Sequence, residues 1–310
     1  MMTITKQNGF KVLVDYLSSS GINLYTGVTG GGVVHYLKYL IPYTPAEKIP
    51  SLFTISEYPA GFAPLGHYVA TGKIAAAIST TGAATKLLSC GLSDAKLHDI
   101  PSVYVFPIST VLHAEDGSLQ DSSIHGSNIV QQLLAELPQH VFLLDNPFTF
   151  ATQLEQARQA LLSRKPVVFL LDNEMMALPA FEFPIIPNHK PAYRNSEIIP
   201  FVRLFREKVQ GRRVLLLVGE EGIHDPAMRK LTTTICHELK AAVVWSINGG
   251  NCVEHSNPYA YGYISFGGND KALDIWESID EDDVILCIGV TPDEYTIDLK
   301  KNPCWRCLFF

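Results

Sequence analysis

Strand-length apolar runs alternate with segments of helical periodicity along most of this chain. Residues 75–79, 102–106 and 167–171 are short apolar runs, whereas residues 9–20 carry apolar side chains at helical spacing. Parallel strands need a crossover connection, which is usually a helix, so this alternation is typical of a mostly parallel sheet. The pattern therefore predicts an α/β fold.

The alternation is interrupted by residues 177–195, which contain four prolines and few regular signals. We interpret this segment as a linker. It predicts two doubly wound parallel-sheet domains, residues 1–176 and residues 196–310. The second domain ends on a strand-like segment, residues 303–310, with no covering helix after it, so we expect this domain to be incomplete at its carboxyl end.

Composition and charge exclude several classes of function. Only 18% of the residues are charged, the net charge is -7 and no basic tract is present, which disfavours nucleic acid as a partner. The apolar runs are too short to span a bilayer, and the first residues do not have the pattern of a signal peptide. We expect a cytoplasmic protein that binds neither nucleic acid nor membrane.

The six cysteines do not predict a metal site. Cys90, Cys236 and Cys287 stand in apolar segments and are predicted to be buried thiols. Cys304 and Cys307 have the spacing of a redox pair, but they lie in an extended segment without the helix start that would stabilise a thiolate. No second Cys or His pair at zinc-ligand spacing accompanies them.

One carboxylate stands where a strand meets a helix. Glu57 follows the apolar run 51–55 and precedes the helical segment 58–71. Ligands of open α/β sheets bind outside the carboxyl ends of the strands, so Glu57 is expected to face a ligand. The alternative is a carboxylate that only stabilises the start of its helix through the helix dipole.

Two further strand-to-helix turns consist of small and polar residues. Residues 27–32 are glycine-rich, and residues 79–85 combine Ser, Thr, Gly and Ala. The first turn could hold a phosphate, but its spacing departs from GxGxxG, which disfavours an NAD-type dehydrogenase. A simple tight turn is the alternative.

A polar loop follows the strand at 102–106. It contains His113, Gln120 and His125 among several carboxylates. A histidine there could shuttle protons because its pKa lies near neutrality. The alternative is an ordinary solvated loop.

Together, these segments resemble the pyrimidine-binding and central domains of thiamine-diphosphate enzymes of the acetolactate synthase and 2-oxo acid decarboxylase group. Residues 27–31 are similar to the family's FGVPGG, residues 56–72 to HEQAAGHAAEGYARATG, residues 79–85 to TSGPGAT, and residues 91–101 to GLADA followed by IP. In the second, Rossmann-like central domain, the similar segments are residues 247–250, 255–262 and 283–289. The motifs occur in the family's order.

The resemblance implies a role for Glu57. Its carboxylate would hydrogen-bond ring N1′ of the cofactor's aminopyrimidine and favour the imino tautomer, whose exocyclic nitrogen takes the proton from the thiazolium C2. The implied catalytic residues are Glu57, His113 and Gln120. The implied cofactor-binding residues are Thr29, Gly30, Gly31, Glu57, Thr81, Gly82 and Thr85.

Two departures from the family pattern are informative. Residues 81–84 read Thr-Gly-Ala-Ala where the family has Gly-Pro-Gly-Ala, so the backbone beside the pyrimidine is expected to differ. Gln120 and Asp121 stand about where synthases carry a Gln-Glu pair, and the paired histidines of decarboxylases are absent. This favours carboligation over simple decarboxylation.

The family's diphosphate-binding segment, Gly-Asp-Gly followed by Asn-Asn, has no counterpart in these 310 residues. That segment holds Mg²⁺ and the diphosphate of the cofactor. The resemblance therefore implies a split enzyme. A second subunit with the Gly-Asp-Gly domain would hold thiamine diphosphate and Mg²⁺ in a dimer-based hetero-oligomer that decarboxylates a 2-oxo acid and transfers the acyl carbanion equivalent. The alternative is a non-catalytic binding or regulatory paralogue of the same fold.

Overall fold

The computed structural model describes residues 4–40, 51–109, 120–181, 195–265, 267–291 and 307–309. The chain divides into two compact units, Met1–His189 and Lys190–Phe310. The domain limits predicted from the sequence stay a prediction.

The first unit alternates strands and helices. Its strands are β1 (Ile4–Asn8), β2 (Leu24–Gly27), β3 (Ser51–Thr54), β4 (Ala76–Ile78), β5 (Val103–Ile108), β6 (Val141–Leu144), β7 (Val167–Asp172) and β8 (Pro179–Phe181). Its helices are α1 (Gly9–Ser19), α2 (Val34–Leu37), α3 (Glu57–Thr71), α4 (Ala83–Leu97), α5 (Ile129–Glu136), α6 (Phe150–Leu162) and α7 (Asn173–Ala177).

Six strands of this unit form one parallel sheet in the order β3-β2-β4-β5-β7-β6. Successive side chains of a strand point to opposite faces. On β5, Val103 and Val105 join the core shared with α1, α2 and α6, whereas Tyr104 donates a hydrogen bond to the Gly61 carbonyl of α3. Helices therefore cover both faces, which confirms the predicted α/β fold with a parallel sheet.

The sequence did not predict β1, β6, β8 or α7. Strand β8 lies inside the segment interpreted as a linker, and it pairs antiparallel with β1 at the other end of the unit. A three-residue strand that begins with proline is too short to show an alternation of apolar and polar residues. It forms by pairing with residues distant in the sequence, so no local pattern predicts it. Residues 182–194 of that segment lie outside the described residues.

The second unit is a smaller parallel sheet. Its elements are α8 (Asn195–Val209), β9 (Val214–Val218), α9 (Met228–Leu239), β10 (Ala242–Trp245), β11 (Ala260–Tyr263), α10 (Asp270–Glu277), β12 (Val284–Ile288) and β13 (Cys307–Phe309), with short 3-10 helices at Glu220–His224 and Gly249–Cys252. The strand order is β11-β10-β9-β12-β13, all parallel. This confirms the predicted Rossmann-like sheet, including a strand near the end of the sequence.

Backbone contacts close the switch point of this second sheet. The strand order reverses between β9 and β12, where doubly wound sheets bind ligands. Here the Gly219 amide donates to Ile288 (2.9 Å) and the Glu221 amide donates to the Gly289 carbonyl (3.1 Å). A Cβ on Gly219 would lie 2.1 Å from the Gly289 oxygen. The backbone after β9 therefore lies directly against the backbone after β12 at Gly219 and Gly289.

The prediction that Cys90 is buried is wrong, whereas Cys236 and Cys287 are buried as expected. On α4 the buried face is formed by residues spaced by three and four, among them Leu88 and Leu92. Cys90 lies midway between these two and points to the opposite side of the helix. The prediction relied on the apolar residues around Cys90 in the sequence, which do not show to which side of the helix Cys90 points.

Helices α3 and α4 approach each other at two glycines. A Cβ on Gly61 would lie 2.1 Å from the Leu88 carbonyl oxygen, and a Cβ on Gly91 would lie 2.0 Å from the Gly61 oxygen. No side chain fits at either position while the helices keep this separation. The contact therefore requires glycine on both helices.

We expect Gly91→Ala to lower the free energy of unfolding by about 1–3 kcal/mol or more, because the added methyl group overlaps a backbone carbonyl. The matched control is Gly66→Ala on α3. Nothing lies within 4 Å of a Cβ there, so this change should be neutral or stabilise by about 0.5–1 kcal/mol. Urea unfolding followed by circular dichroism measures both. Equal effects of the two substitutions would contradict the close approach.

Candidate functional site

Three strand-to-helix turns meet at the carboxyl edge of the first sheet. Strand β2 lies between β3 and β4, and all three strands are parallel. The segments that follow them, residues 28–33, 55–57 and 79–82, are therefore neighbours. They contain no Lys or Arg and a single carboxylate, Glu57.

The glycine-rich turn packs onto the turn after β4. The Val28 amide donates to the Ile78 carbonyl (3.3 Å), and the Gly32 amide donates to the Thr80 hydroxyl (3.3 Å). A Cβ on Gly30 would lie 2.6 Å from the Cβ of Thr80. Gly30 is thus required for the approach of the two turns.

Two other predicted residues of the same turn face outward. Thr29 and Gly31 are exposed, and nothing lies within 4 Å of a Cβ placed on Gly31. A ligand could contact Thr29 and Gly31, whereas Gly30 packs against Thr80.

Glu57 is the first residue of α3. The chain reaches it through the Ile55 amide, which donates to the Gly27 carbonyl of β2 (3.1 Å), and through Ser56, the extended N-cap residue. Glu57 is partly buried. Two residues near it in the sequence, Ile55 and Tyr58, are exposed. Among the described residues, no hydrogen bond or ion pair to its carboxylate is found. The negative charge lies at the positive end of the helix dipole and is free to meet a ligand.

The turn after β4 has a backbone that favours glycine. Gly82 has φ +80° and ψ -134°, a conformation that other residues rarely adopt. Gln120 lies directly against it, because a Cβ on Gly82 would be 3.0 Å from the Gln120 side-chain carbon Cδ. The Thr81 hydroxyl donates a short hydrogen bond to Gln120 Oε1, and the Ser109 hydroxyl donates to the Gln120 carbonyl (2.8 Å). The predicted residues Thr81, Gly82 and Gln120 are therefore in mutual contact.

Thr85 has a different environment from the other predicted cofactor residues. Its side chain is 2% exposed, and its hydroxyl donates to the Thr80 carbonyl (3.0 Å). The Ser79 hydroxyl donates to the same carbonyl (3.0 Å). The buried hydroxyls of Thr85 and Ser79 thus stabilise the backbone of the turn after β4.

Sequence reasoning missed Thr80 and Asn173. Thr80 accepts from the Gly32 amide through its hydroxyl, so it joins two of the turns. Asn173, just after β7, donates from its side-chain amide to the Gly32 carbonyl (2.8 Å). No signal in the sequence singles out either residue, because each bond joins positions 48 or 141 residues apart.

His113 lies outside the described residues. His125 is exposed on the loop that follows Gln120. In this loop the Asp121 carboxylate accepts from the amide and hydroxyl of Ser123, and these hydrogen bonds lower its pKa.

No group of three or more His, Cys, Asp or Glu side chains among the described residues could hold a metal ion. No helix there is both long enough and apolar enough to cross a bilayer.

The part of the chain that contains the three turns matches a known protein family. Residues 7–121 match the family described as thiamine pyrophosphate enzyme, N-terminal TPP binding domain. That segment is similar to this family's domain. It contains β2, β3 and β4, the turns that follow them, and Glu57.

The curated relatives are acetolactate synthases. The chain is 26% identical over 234 residues to acetolactate synthase of Mycobacterium avium, covering 72% of this chain and 35% of the relative. It is 24% identical over 241 residues to the large subunit IlvB1 of Mycobacterium tuberculosis, covering 74% and 37%. The match to the large subunit of Corynebacterium glutamicum, 24% over 168 residues, covers 54% and 25%.

The chain therefore spans between a quarter and little more than a third of the length of these relatives. The similarity is to an N-terminal TPP binding domain in residues 7–121 and, over a longer stretch, to part of several acetolactate synthases. Because the match covers only part of each relative, it does not assign the relatives' activity to this chain.

The residues present fit the pyrimidine part of the cofactor. A flat, neutral heterocycle with a ring nitrogen needs a hydrogen-bonding partner, and the partly buried carboxylate of Glu57 can supply it. The three turns contain no Lys or Arg that could pair with a diphosphate.

A side chain at position 82 is expected to lower stability in two ways, through the strain of a positive φ and through crowding by Gln120. Substitutions can separate these two costs. We expect Gly82→Ala to lower the free energy of unfolding by about 1–3 kcal/mol. Part of this loss should be recovered in the double variant with Gln120→Ala, which removes the crowding. The comparison is Gly21→Ala, because Gly21 also has positive φ (+84°) but nothing within 4 Å of its added Cβ.

The coupling energies follow from thermal unfolding of the wild type, the single variants Gly82→Ala, Gly21→Ala and Gln120→Ala, and the two double variants that combine Gln120→Ala with each glycine substitution. If Gln120→Ala rescued Gly21→Ala as well as Gly82→Ala, the proposed contact between Gln120 and the turn would be wrong.

Proposed function

We propose that this chain supplies the pyrimidine side of a thiamine-diphosphate site in an enzyme that decarboxylates a 2-oxo acid and transfers the resulting acyl carbanion equivalent to an acceptor. The observation that carries the proposal is the Glu57 carboxylate, which has no hydrogen-bond or ion-pair partner among the described residues and lies at the carboxyl edge of the sheet within the segment that matches the family. Its position at a helix start, beside two turns of small residues, supports a role toward a bound heterocycle.

Thiamine diphosphate, when bound, supplies a carbanion at C2 of its thiazolium ring and takes up the electrons released with CO₂. Glu57 would hold a proton between its carboxylate and N1′ of the aminopyrimidine. Thr29 and Gly31, exposed on the glycine-rich turn, would contact the ring from the side of β2.

Gln120 is the proposed residue on the substrate side. Thr81 occupies its amide oxygen, which leaves the two hydrogens of its amide nitrogen to donate to a carboxylate or carbonyl oxygen. A neutral donor at this position suits the transfer of an acyl group to an acceptor, and we keep carboligation as the proposed outcome. His113 remains a proposed catalytic residue outside the described part of the chain.

The diphosphate and Mg²⁺ are proposed to be held outside these 310 residues. The sequence contains no Gly-Asp-Gly segment, and the three turns contain no cation. We propose a second subunit that carries this segment and completes the site in a hetero-oligomer. Mg²⁺ would bridge the diphosphate to oxygen ligands of that subunit.

We expect Glu57→Gln to lower turnover of the reconstituted enzyme by about 10²–10⁴-fold, because glutamine cannot exchange a proton with the pyrimidine. The matched control is Asp270→Asn, which removes a carboxylate from the first position of α10 in the other unit. Release of CO₂ from a panel of 2-oxo acids measures turnover, and thermal unfolding measures stability. Both variants should lose a similar few tenths of a kcal/mol from the helix dipole.

Retained activity in Glu57→Gln would remove Glu57 from the mechanism. A chain that binds the cofactor without any turnover on the panel would instead favour the non-catalytic paralogue.

Cofactor binding should depend on the second subunit. In calorimetry, thiamine diphosphate with Mg²⁺ should give no measurable heat with this chain alone and saturable binding after a protein with the Gly-Asp-Gly segment is added. Thiamine without its diphosphate is the control ligand and should bind weakly in both cases. Tight, Mg²⁺-dependent binding to the isolated chain would contradict the proposed division of the site.

A further inference from the structure

Helix α3 carries a proline that leaves one of its carbonyls without a helical donor. Pro64 lies inside the helix and has no N–H, so the carbonyl of Ala60, four residues earlier, cannot accept the usual bond. Ala60 is fully buried. A buried carbonyl without a partner costs about 1–3 kcal/mol, so something else must satisfy it.

A threonine of β2 fills this gap. The Thr26 hydroxyl donates to the Ala60 carbonyl at 2.9 Å, and Thr26 is buried. The neighbouring carbonyl of Gly61 accepts a second buried hydroxyl, from Tyr104 of β5, at 3.0 Å. Two side chains of the sheet thus hold the first turns of α3 from below.

Glu57 lies between two anchor points on adjacent residues of β2. On one side, the Ile55 amide donates to the Gly27 carbonyl (3.1 Å). On the other side, Ala60 accepts from Thr26, the residue before Gly27. Within this short segment the Ala60 amide also donates to the Ser56 carbonyl (3.1 Å), which closes the turn around Glu57. The position of the carboxylate is therefore set by β2 through both anchors.

We infer that Thr26 is a positioning residue for Glu57: its hydroxyl takes the place of the missing Pro64 amide and fixes the first turn of α3 on the sheet. Thr26 touches neither substrate nor cofactor in this proposal. It acts through the placement of Glu57, and the inference rests on the proposed function of that carboxylate. Tyr104 supports the same turn one residue further along.

Three substitutions separate this role from a general loss of stability. Thr26→Val keeps the shape and removes the hydroxyl, whereas Thr26→Ser keeps the hydroxyl. The matched control is Tyr16→Phe, which removes a buried hydroxyl that donates to the Leu154 carbonyl of α6 (2.8 Å) in the core on the other face of the sheet from α3. Thr26→Val and Tyr16→Phe should both lower the melting temperature.

The first readout is amide hydrogen exchange of the whole chain, which does not depend on activity. We expect Thr26→Val to raise the exchange rates at residues 57–62 at least tenfold, Thr26→Ser to restore them, and Tyr16→Phe to leave them unchanged. Unchanged exchange at residues 57–62 in Thr26→Val would overturn the proposal. If Thr26→Val does not fold, Tyr104→Phe must raise exchange in the same residues, and its failure to do so counts against the proposal equally.

The second readout is turnover of the reconstituted enzyme. Misplacement of a catalytic group by about 1 Å can cost 10²-fold, so we expect kcat of Thr26→Val to fall about 10- to 100-fold with little change in KM for the 2-oxo acid. Thr26→Ser should recover most of this loss. A kcat of Thr26→Val equal to that of the wild type, or an equal loss in Tyr16→Phe, would overturn the positioning role.

The two readouts distinguish the possible failures. If the exchange effect is found while the wild-type protein and Glu57→Gln show the same turnover, the proposed function has failed and the mechanical link from Thr26 to the turn stands. If Glu57→Gln is inactive and Thr26→Val is fully active, the proposed function stands and Thr26 does not position Glu57.

Discussion

The contact between the backbones of α3 and α4 governs the geometry of the candidate site. Glu57 begins α3, and the Gly82 turn begins α4, so the separation of these helices sets the space between the carboxylate and the turn. Gly61 and Gly91 let the helices touch backbone to backbone. The Gly61 carbonyl also accepts the Tyr104 hydroxyl, which ties the contact to the centre of the sheet. The distance between the Glu57 turn and the Gly82 turn is therefore fixed by the packing of the helices that follow them.

The fold could be predicted from the sequence wherever the signal was local. Val214–Val218 is predicted to the residue because a continuous apolar run of strand length ends at Gly219. The start of α3 is predicted within one residue because the strand-like apolar run ends just before Glu57. In contrast, β8 gains its structure only by pairing with β1, and the orientation of Cys90 follows from the packing of α4. Neither depends on a local pattern.

The same distinction holds for the candidate site. That the three turns meet follows from a parallel sheet, since consecutive carboxyl ends share one edge. The bonds that hold them cannot be found in this way. Thr26, Thr80 and Asn173 each donate or accept across 34 to 141 residues, and such hydroxyl and amide side chains are common in any loop. The proline at position 64 is the only local sign that Ala60 needs a donor, and it does not reveal which residue supplies it.

The turn after β4 shows how a departure from the family pattern is accommodated. In the order of the motif, Gly82 stands where the family has proline, and its φ of +80° is inaccessible to proline, whose ring fixes φ near -65°. The backbone here therefore differs from any that the family's residue could adopt. The absent side chain leaves room that Gln120 occupies, with its amide oxygen bonded to Thr81. The residue at position 82 and the placement of Gln120 therefore depend on each other, and together they place an amide group next to the turn that precedes α4.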